Sequence, residues 1–149
     1  MTDPKRIVLS SDHAAIDLRQ AIARHIAERG WTAVDIGPTT TESTHYPKHG
    51  EAAARMVASG DCALGIILCG TGQGIMMAAN KVPGIRCGVC SEAFSARMIR
   101  QHNDANMLSI GARVVGEGLA LDIVDAFLDA EFEGGRHATR VDMITALEG

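Results

Sequence analysis

Short apolar runs alternate along this chain with polar, glycine-bearing breaks. Ile7–Leu9 is a β-type run stopped by Ser10-Ser11-Asp12-His13, after which Leu18, Ala21, Ile22 and Ile26 recur at helical spacing up to Gly30. Thr32–Ile36 repeats the strand signal. A polar loop over 37–48 carries Tyr46-Pro47, and a helical stretch over Ala52–Ala58 ends at Gly60. Ala63–Leu68 is unbroken apolar sequence, as a central strand covered on both faces requires, and it enters Cys69-Gly70-Thr71-Gly72-Gln73-Gly74 before a helix over Ile75–Lys81. Ile85–Val89 and Glu92–Gln101 repeat the unit. Met107–Ile110 reads as a fifth strand, Leu119–Leu128 as a long amphipathic helix, and a helical tail starts at about 138.

This alternation predicts the α/β class: a three-layer αβα sandwich with a five-stranded parallel, Rossmann-like sheet and helices on both faces. No linker or low-complexity segment divides residues 1–149, so they read as one domain. Ligands in such sheets collect beyond the C-terminal strand ends at a topological switch point. The segments predicted there are Ser11–His13, the loop after Ile36, Cys69–Gly74, Cys90-Ser91 and Gly111–Arg113.

Composition narrows the picture. Of the 149 residues 46% are hydrophobic, yet there is one Trp, one Tyr and three Phe, so the core is aliphatic. A chain of this length buries roughly 68–70% of its unfolded surface without disulfide or metal staples. The net charge of −4 and the lack of a basic run argue against nucleic acid. Arg outnumbers Lys by 11 to 3, which suits specific contacts to anions. Four scattered cysteines, a polar start without a signal peptide and no run near the ~20 apolar residues of a membrane span point to a cytoplasmic protein.

The glycine-rich loop is the sharpest chemical signal, because Gly70, Gly72 and Gly74 let successive backbone N–H groups converge on an anion where a helix begins. It fits neither the dinucleotide fingerprint nor the P-loop, so a closely packed turn is the alternative. Cys69, between a buried strand and a helix start, is placed for a lowered thiol pKa and a role as base or nucleophile; a small buried hydrophobe is the other reading. Cys87-Gly88-Val89-Cys90 has the spacing of a redox dithiol, which makes a thiol redox protein the rival function, or of half a zinc site, but no second Cys pair follows and a strand through Cys87 would send the two side chains to opposite faces. His13 beside Asp12 could orient a sugar hydroxyl or ring oxygen, with Asp12 as a helix cap the competing role. His25 belongs to an amphipathic face, and His45 and His49 lie in polar surroundings. His102 opens His102-Asn103-Asp104-Ala105-Asn106, which also reads as a turn. Arg136 and Arg140, at i and i+4, could clamp a phosphate or lie solvated on a helix face.

Taken together, Ser11-Asp12-His13-Ala14, Tyr46-Pro47, Cys69–Gly72, Ala78-Ala79-Asn80-Lys81, His102–Asn106, Gly111-Ala112-Arg113 and Glu133-Gly134-Gly135-Arg136-His137 resemble the type B ribose-5-phosphate isomerases and their relatives acting on galactose, allose and tetrose phosphates. The resemblance runs from about Ile7 to Met143. It implies aldose–ketose isomerisation through a cis-enediolate with no metal or cofactor. Cys69 matches the catalytic base, with Thr71 beside it among the catalytic residues, and His102 matches the acid that opens the sugar ring. Asp12, His13, Tyr46, Gly70, Gly72, Gln73, Gly74 and Asn103 match sugar contacts, and Arg113, Arg136 and Arg140 match phosphate ligands. Some members carry a Glu on the glycine loop, where this chain reads Gln73-Gly74-Ile75-Met76. Ala15, Gln73 and Ser91 also depart from common family residues, which leaves ribose 5-phosphate, erythrose 4-phosphate, allose 6-phosphate and galactose 6-phosphate open as substrates.

Topology adds an expectation about assembly. Cys69 follows the third strand at its C-terminal end, whereas His102 precedes the fifth strand, so a strand length of ~17 Å separates them. One small sugar reaches both only if they come from different subunits. A homodimer with shared sites, able to pair further, is expected, and the resemblance implies the same.

Overall fold

The computed structural model describes residues 3–149. Its strands are β1 (Arg6–Ser11), β2 (Thr32–Asp35), β3 (Leu64–Cys69), β4 (Cys87–Val89) and β5 (Met107–Gly111). The helices are α1 (Ile16–Glu28), α2 (Tyr46–Ala58), α3 (Gln73–Ala79), α4 (Ala93–Gln101), α5 (Glu117–Asp129) and α6 (Arg136–Ala146), and one 3-10 turn, His13–Ala15, precedes α1. All strand pairs are parallel, in the order β2-β1-β3-β5-β4. The chain turns to β2 on one side of β1 and to β3 on the other, so the switch point lies between the C-terminal ends of β1 and β3.

Strand alternation divides the core in two. Ile7, Leu9, Ile66, Leu68, Leu108 and Ile110 face a layer that includes Ile22 and Ile26 of α1, Ala96 of α4, and Ile123 and Phe127 of α5. Val8, Ile67, Cys69 and Met107 face the opposite layer with Ala53 and Val57 of α2 and Ile75 and Ala79 of α3. Helices therefore cover both faces. No helix among the described residues is long and apolar enough to cross a membrane.

Several element boundaries differ from the sequence reading. The helix expected from Ala52 begins at Tyr46, with Pro47 in its first turn, where a missing N–H is harmless. Its early turns are hidden in the sequence by Gly50, which is there for close approach: a Cβ would stand 2.8 Å from the Ile75 carbonyl oxygen. β4 is shorter than Ile85–Val89 because side chains replace strand partners before it. Asn80 accepts from the Cys87 N–H at 2.8 Å and donates to its carbonyl at 2.9 Å, while Asn106 accepts from the Arg86 N–H at 2.9 Å. The C-terminal helix starts at Arg136, slightly before the expected 138.

Candidate active site

The switch point gathers one set of the expected residues. β1 ends in Ser11 and delivers Asp12, whose carboxylate caps the 3-10 turn by accepting the Ala14 N–H at 3.0 Å. The capping role weighed for Asp12 is thus realised, and the carboxylate is buried beside the crevice. His13 follows, and its Nδ1 accepts the Thr44 backbone N–H at 3.2 Å. That leaves Nε2 as the protonated nitrogen of the neutral ring, a donor for a ligand oxygen. Thr44 is in turn held through its Oγ1, 3.0 Å from His49 Nε2.

Across the crevice β3 ends in Cys69, which is 5% exposed. The Gly72 N–H donates to its Sγ at 3.2 Å, because Gly72 takes φ 78° and folds the loop back over the thiol. A side chain cannot be added there: a Cβ would lie 2.9 Å from the Ile110 carbonyl carbon. The loop is tied to β5, with the Ala112 N–H donating to the Cys69 carbonyl at 2.9 Å and the Arg113 N–H to that of Gly70 at 3.0 Å. Thr71 Oγ1 accepts the Gln73 N–H at 3.2 Å, and both side chains reach solvent. Tyr46 lies against Gly74 so closely that a Cβ would overlap its ring. Arg113 is exposed and crosses the open face of Gly70, where a Cβ would meet its Nη1 at 3.4 Å.

The other expected residues lie elsewhere. His102 caps α4 at its C-terminus, Asn103 follows, and Asp104 at φ 47° makes the left-handed turn into β5. The turn reading of this stretch is realised as well. Gly65 pairs with Met107 and Cys69 with Gly111, so His102 sits at the sheet edge opposite Cys69, ~13 Å away along β3 at 3.3 Å per residue. Arg136 and Arg140 share this edge, because the next residue in α6, His137, stacks on His102 with ring centroids 4.2 Å apart and planes 8° from parallel. The candidate phosphate ligands therefore divide, with Arg113 at one edge and Arg136 and Arg140 at the other. A cavity of about 570 Å³ also opens near the second edge, lined by Arg86, Asn103, Ile144 and Leu147 among others.

Several neighbours escaped the sequence reading. Arg19 in α1 is 1% exposed, and its guanidinium donates to Ser11 Oγ at 2.7 Å and to the Pro38 carbonyl at 2.7 Å and lies 3.0 Å from Asp35. It thereby fastens the loops after β1 and β2 together. Its only sequence signal was a cation on the buried side of an amphipathic helix. Ser109, fully buried in β5, donates to the Gly72 carbonyl at 2.6 Å. Glu133 carries Oε1 3.7 Å from His102 Nε2 and 3.5 Å from His137 Nε2. His25, assigned to an amphipathic face, holds Asp125 at 2.7 Å.

His102, Glu133 and His137 are the one metal-capable group among the described residues, their ligand atoms lying within 4.8 Å of one another. An ion in the plane of one imidazole would stand well off the plane of the other, so the stacked rings do not converge as a chelate. Cys87 and Cys90 belong to opposite core layers, as the strand alternation implied. Burial pushes both thiols up, Cys90 to about 11 and Cys87 further, which favours the unreactive protonated form.

Comparison with known proteins matches residues 7–144 to the ribose/galactose isomerase family. The chain is 50% identical over 144 residues to ribose-5-phosphate isomerase B of Escherichia coli (strain K12), covering 97% of each chain. It is 42% identical over 139 residues to D-erythrulose-4-phosphate isomerase of Pectobacterium atrosepticum, covering 93% of this chain and 91% of the relative. A solved structure of Clostridium thermocellum ribose-5-phosphate isomerase B superposes with a TM-score of 0.95 at 53% identity, over 96% of this chain and 97% of that one. With the parallel sheet, the thiol at its switch point and near-complete coverage in agreement, this chain belongs to the ribose/galactose isomerase family, whose members are aldose–ketose isomerases.

Proposed function

We propose that the chain, acting as one catalytic domain, interconverts an aldose phosphate and its ketose through ring opening and a cis-enediolate, with ribose 5-phosphate and ribulose 5-phosphate as the first pair to test. The carrying observation is the Cys69 thiol, buried at the switch point beside Asp12 and His13 and met by the Gly72 N–H. Cys69 takes the proton from C2 of the open-chain aldose and returns it to C1, while the proton on O2 passes to O1. Backbone N–H groups of Gly70, Thr71 and Gly74 and the Thr71 hydroxyl face the enediolate oxygens, a preorganised arrangement worth ~3–4 kcal/mol per well-placed donor. Asp12, His13, Tyr46, Gln73 and Asn103 hold the sugar. His102 donates the proton that opens the ring.

The opposed edges of Cys69 and His102 support a homodimer in which each site takes Cys69 and Arg113 from one subunit and His102, Asn103, Arg136 and Arg140 from the other. Met143, Ile144 and Leu147 of α6 are 66%, 47% and 85% exposed and give such a dimer apolar surface to cover. The four free, buried cysteines suit a reducing cytoplasm.

Measured kcat/KM on ribose 5-, erythrose 4-, allose 6- and galactose 6-phosphate assigns the substrate, and no turnover of any of them overturns the reading. Cys69→Ser should abolish isomerisation while sugar-phosphate binding persists. Mixing Cys69→Ala and His102→Ala proteins under subunit exchange should recover partial activity through hybrid sites. No recovery after verified exchange rejects the shared site.

A further inference from the structure

At the edge that carries His102, three groups meet without an assigned purpose for two of them. His137 lies flat against His102 at 4.2 Å, and both Nε2 atoms approach the same oxygen, Oε1 of Glu133. His137 is 6% exposed, and its Nε2 has no hydrogen-bond partner among the described residues. Glu133 is not loosely placed: its backbone N–H donates at 2.9 Å to the carbonyl of Gln101, the residue before His102. One carboxylate thus straddles two stacked imidazoles and is anchored to the helix that bears the proposed acid.

We propose that Glu133 is the positioning residue of the ring-opening acid, holding the His102 ring against the face of His137 through the carboxylate oxygen the two rings share. This rests on the reading of His102 given above. Two imidazolium rings at this separation would repel, so the stack takes at most one positive charge. Burial, then His102, then Arg136 hold His137 below the usual histidine range. The charged groups acting on His137 besides the His102 ring are Glu133, Arg136 and Arg140, and Glu133 supplies the negative charge opposing the two guanidiniums. In the step itself the His102 proton goes to the ring oxygen. The C1–O bond of the hemiacetal breaks with its electron pair on that oxygen, and O1 loses its proton to water as the C1 carbonyl forms. Enediolate formation at Cys69 takes place on the open chain and does not need the trio.

The chemistry of the substrate pair separates the two halves. Ribulose 5-phosphate cannot close a furanose ring, because its O5 is esterified, so deuterium wash-in at its C1 from D2O reads the Cys69 step alone. Ribose 5-phosphate is mostly cyclic and must first be opened. Glu133→Gln is expected to lower kcat on ribose 5-phosphate at least tenfold with KM little changed. It should leave C1 exchange within about twofold. Glu133→Asp should restore part of the lost turnover. Exchange and turnover falling together, with an unchanged melting temperature, would give Glu133 a general structural role and overturn the proposal, as would wild-type turnover in Glu133→Gln. Retained C1 exchange in Cys69→Ala would overturn the Cys69 reading, a different result from those that overturn the role of Glu133, so the two failures are distinct.

Discussion

Ser109 Oγ, fully buried in β5, donates a 2.6 Å hydrogen bond to the carbonyl of Gly72, the residue whose N–H meets the Cys69 sulfur. A peptide held from both ends in this way fixes the loop over the thiol from the neighbouring strand. Ser109→Ala strands the Gly72 carbonyl, an expected cost of about 1–3 kcal/mol. Urea unfolding should show the loss and steady-state kinetics a fall in kcat larger than any rise in KM. Unchanged kcat would mean that the loop keeps its shape without the anchor.

Gly74 and Tyr46 form a second dependence, since a Cβ at 74 would overlap the tyrosine ring. Gly74→Ala should displace the start of α2 and reduce kcat/KM at least tenfold. Tyr46→Ala in the same chain removes the overlap, so the double variant should be more stable than additivity of the two single changes allows. Additive melting temperatures would show that the two do not meet in solution.

Arg19 is a buried cation whose partners are Ser11 Oγ at the end of β1, the Pro38 carbonyl and the Asp35 carboxylate. Arg19→Met should cost about 3–5 kcal/mol, the range for breaking a buried pair by removing one partner. Arg19→Lys should recover little, because an ammonium cannot span three acceptors as a planar fork does. In both variants KM for the sugar phosphate should rise, because Ser11-Asp12-His13 loses its tether.

Alkaline pH should unfold the protein through its thiols. Burial raises Cys87 and Cys90 above their unfolded value of 9.0, Cys90 to about 11. Below pH 9 both states keep these protons and stability is unaffected. Between pH 9 and 11 the unfolded chain releases them while the fold retains them, so stability falls by about 1.4 kcal/mol per pH unit for each such thiol. Denaturant titrations across this window should show a shallower decline for Cys90→Ala. In native protein at pH 8, iodoacetamide should leave Cys87 and Cys90 unmodified by mass spectrometry.

The order of strands and helices was legible in the sequence, because apolar runs of strand length alternating with amphipathic helices admit few packings. Ala63–Leu68 announced a central strand by lacking polar positions, and β3 is that strand. The loop at Cys69–Gly74 was legible for the same reason, since glycines so close together break every regular pattern. The start of α2 was not, because Tyr46, Pro47 and Gly50 read locally as loop residues. Tyr46 and Gly50 owe their value to contact with Gly74 and Ile75, far along the chain.

Sequence by itself therefore determined the class of fold, the thiol at a strand end and the sheet edge to which His102 goes. Tertiary structure alone decided which side chains meet. It set Arg19 between two loops, Ser109 under Gly72, and Glu133 across His102 and His137. Local propensity acts over a few residues and leaves a periodic trace. Pairing of groups on separate elements depends on how those elements pack, and one chain's residue pattern carries no record of it.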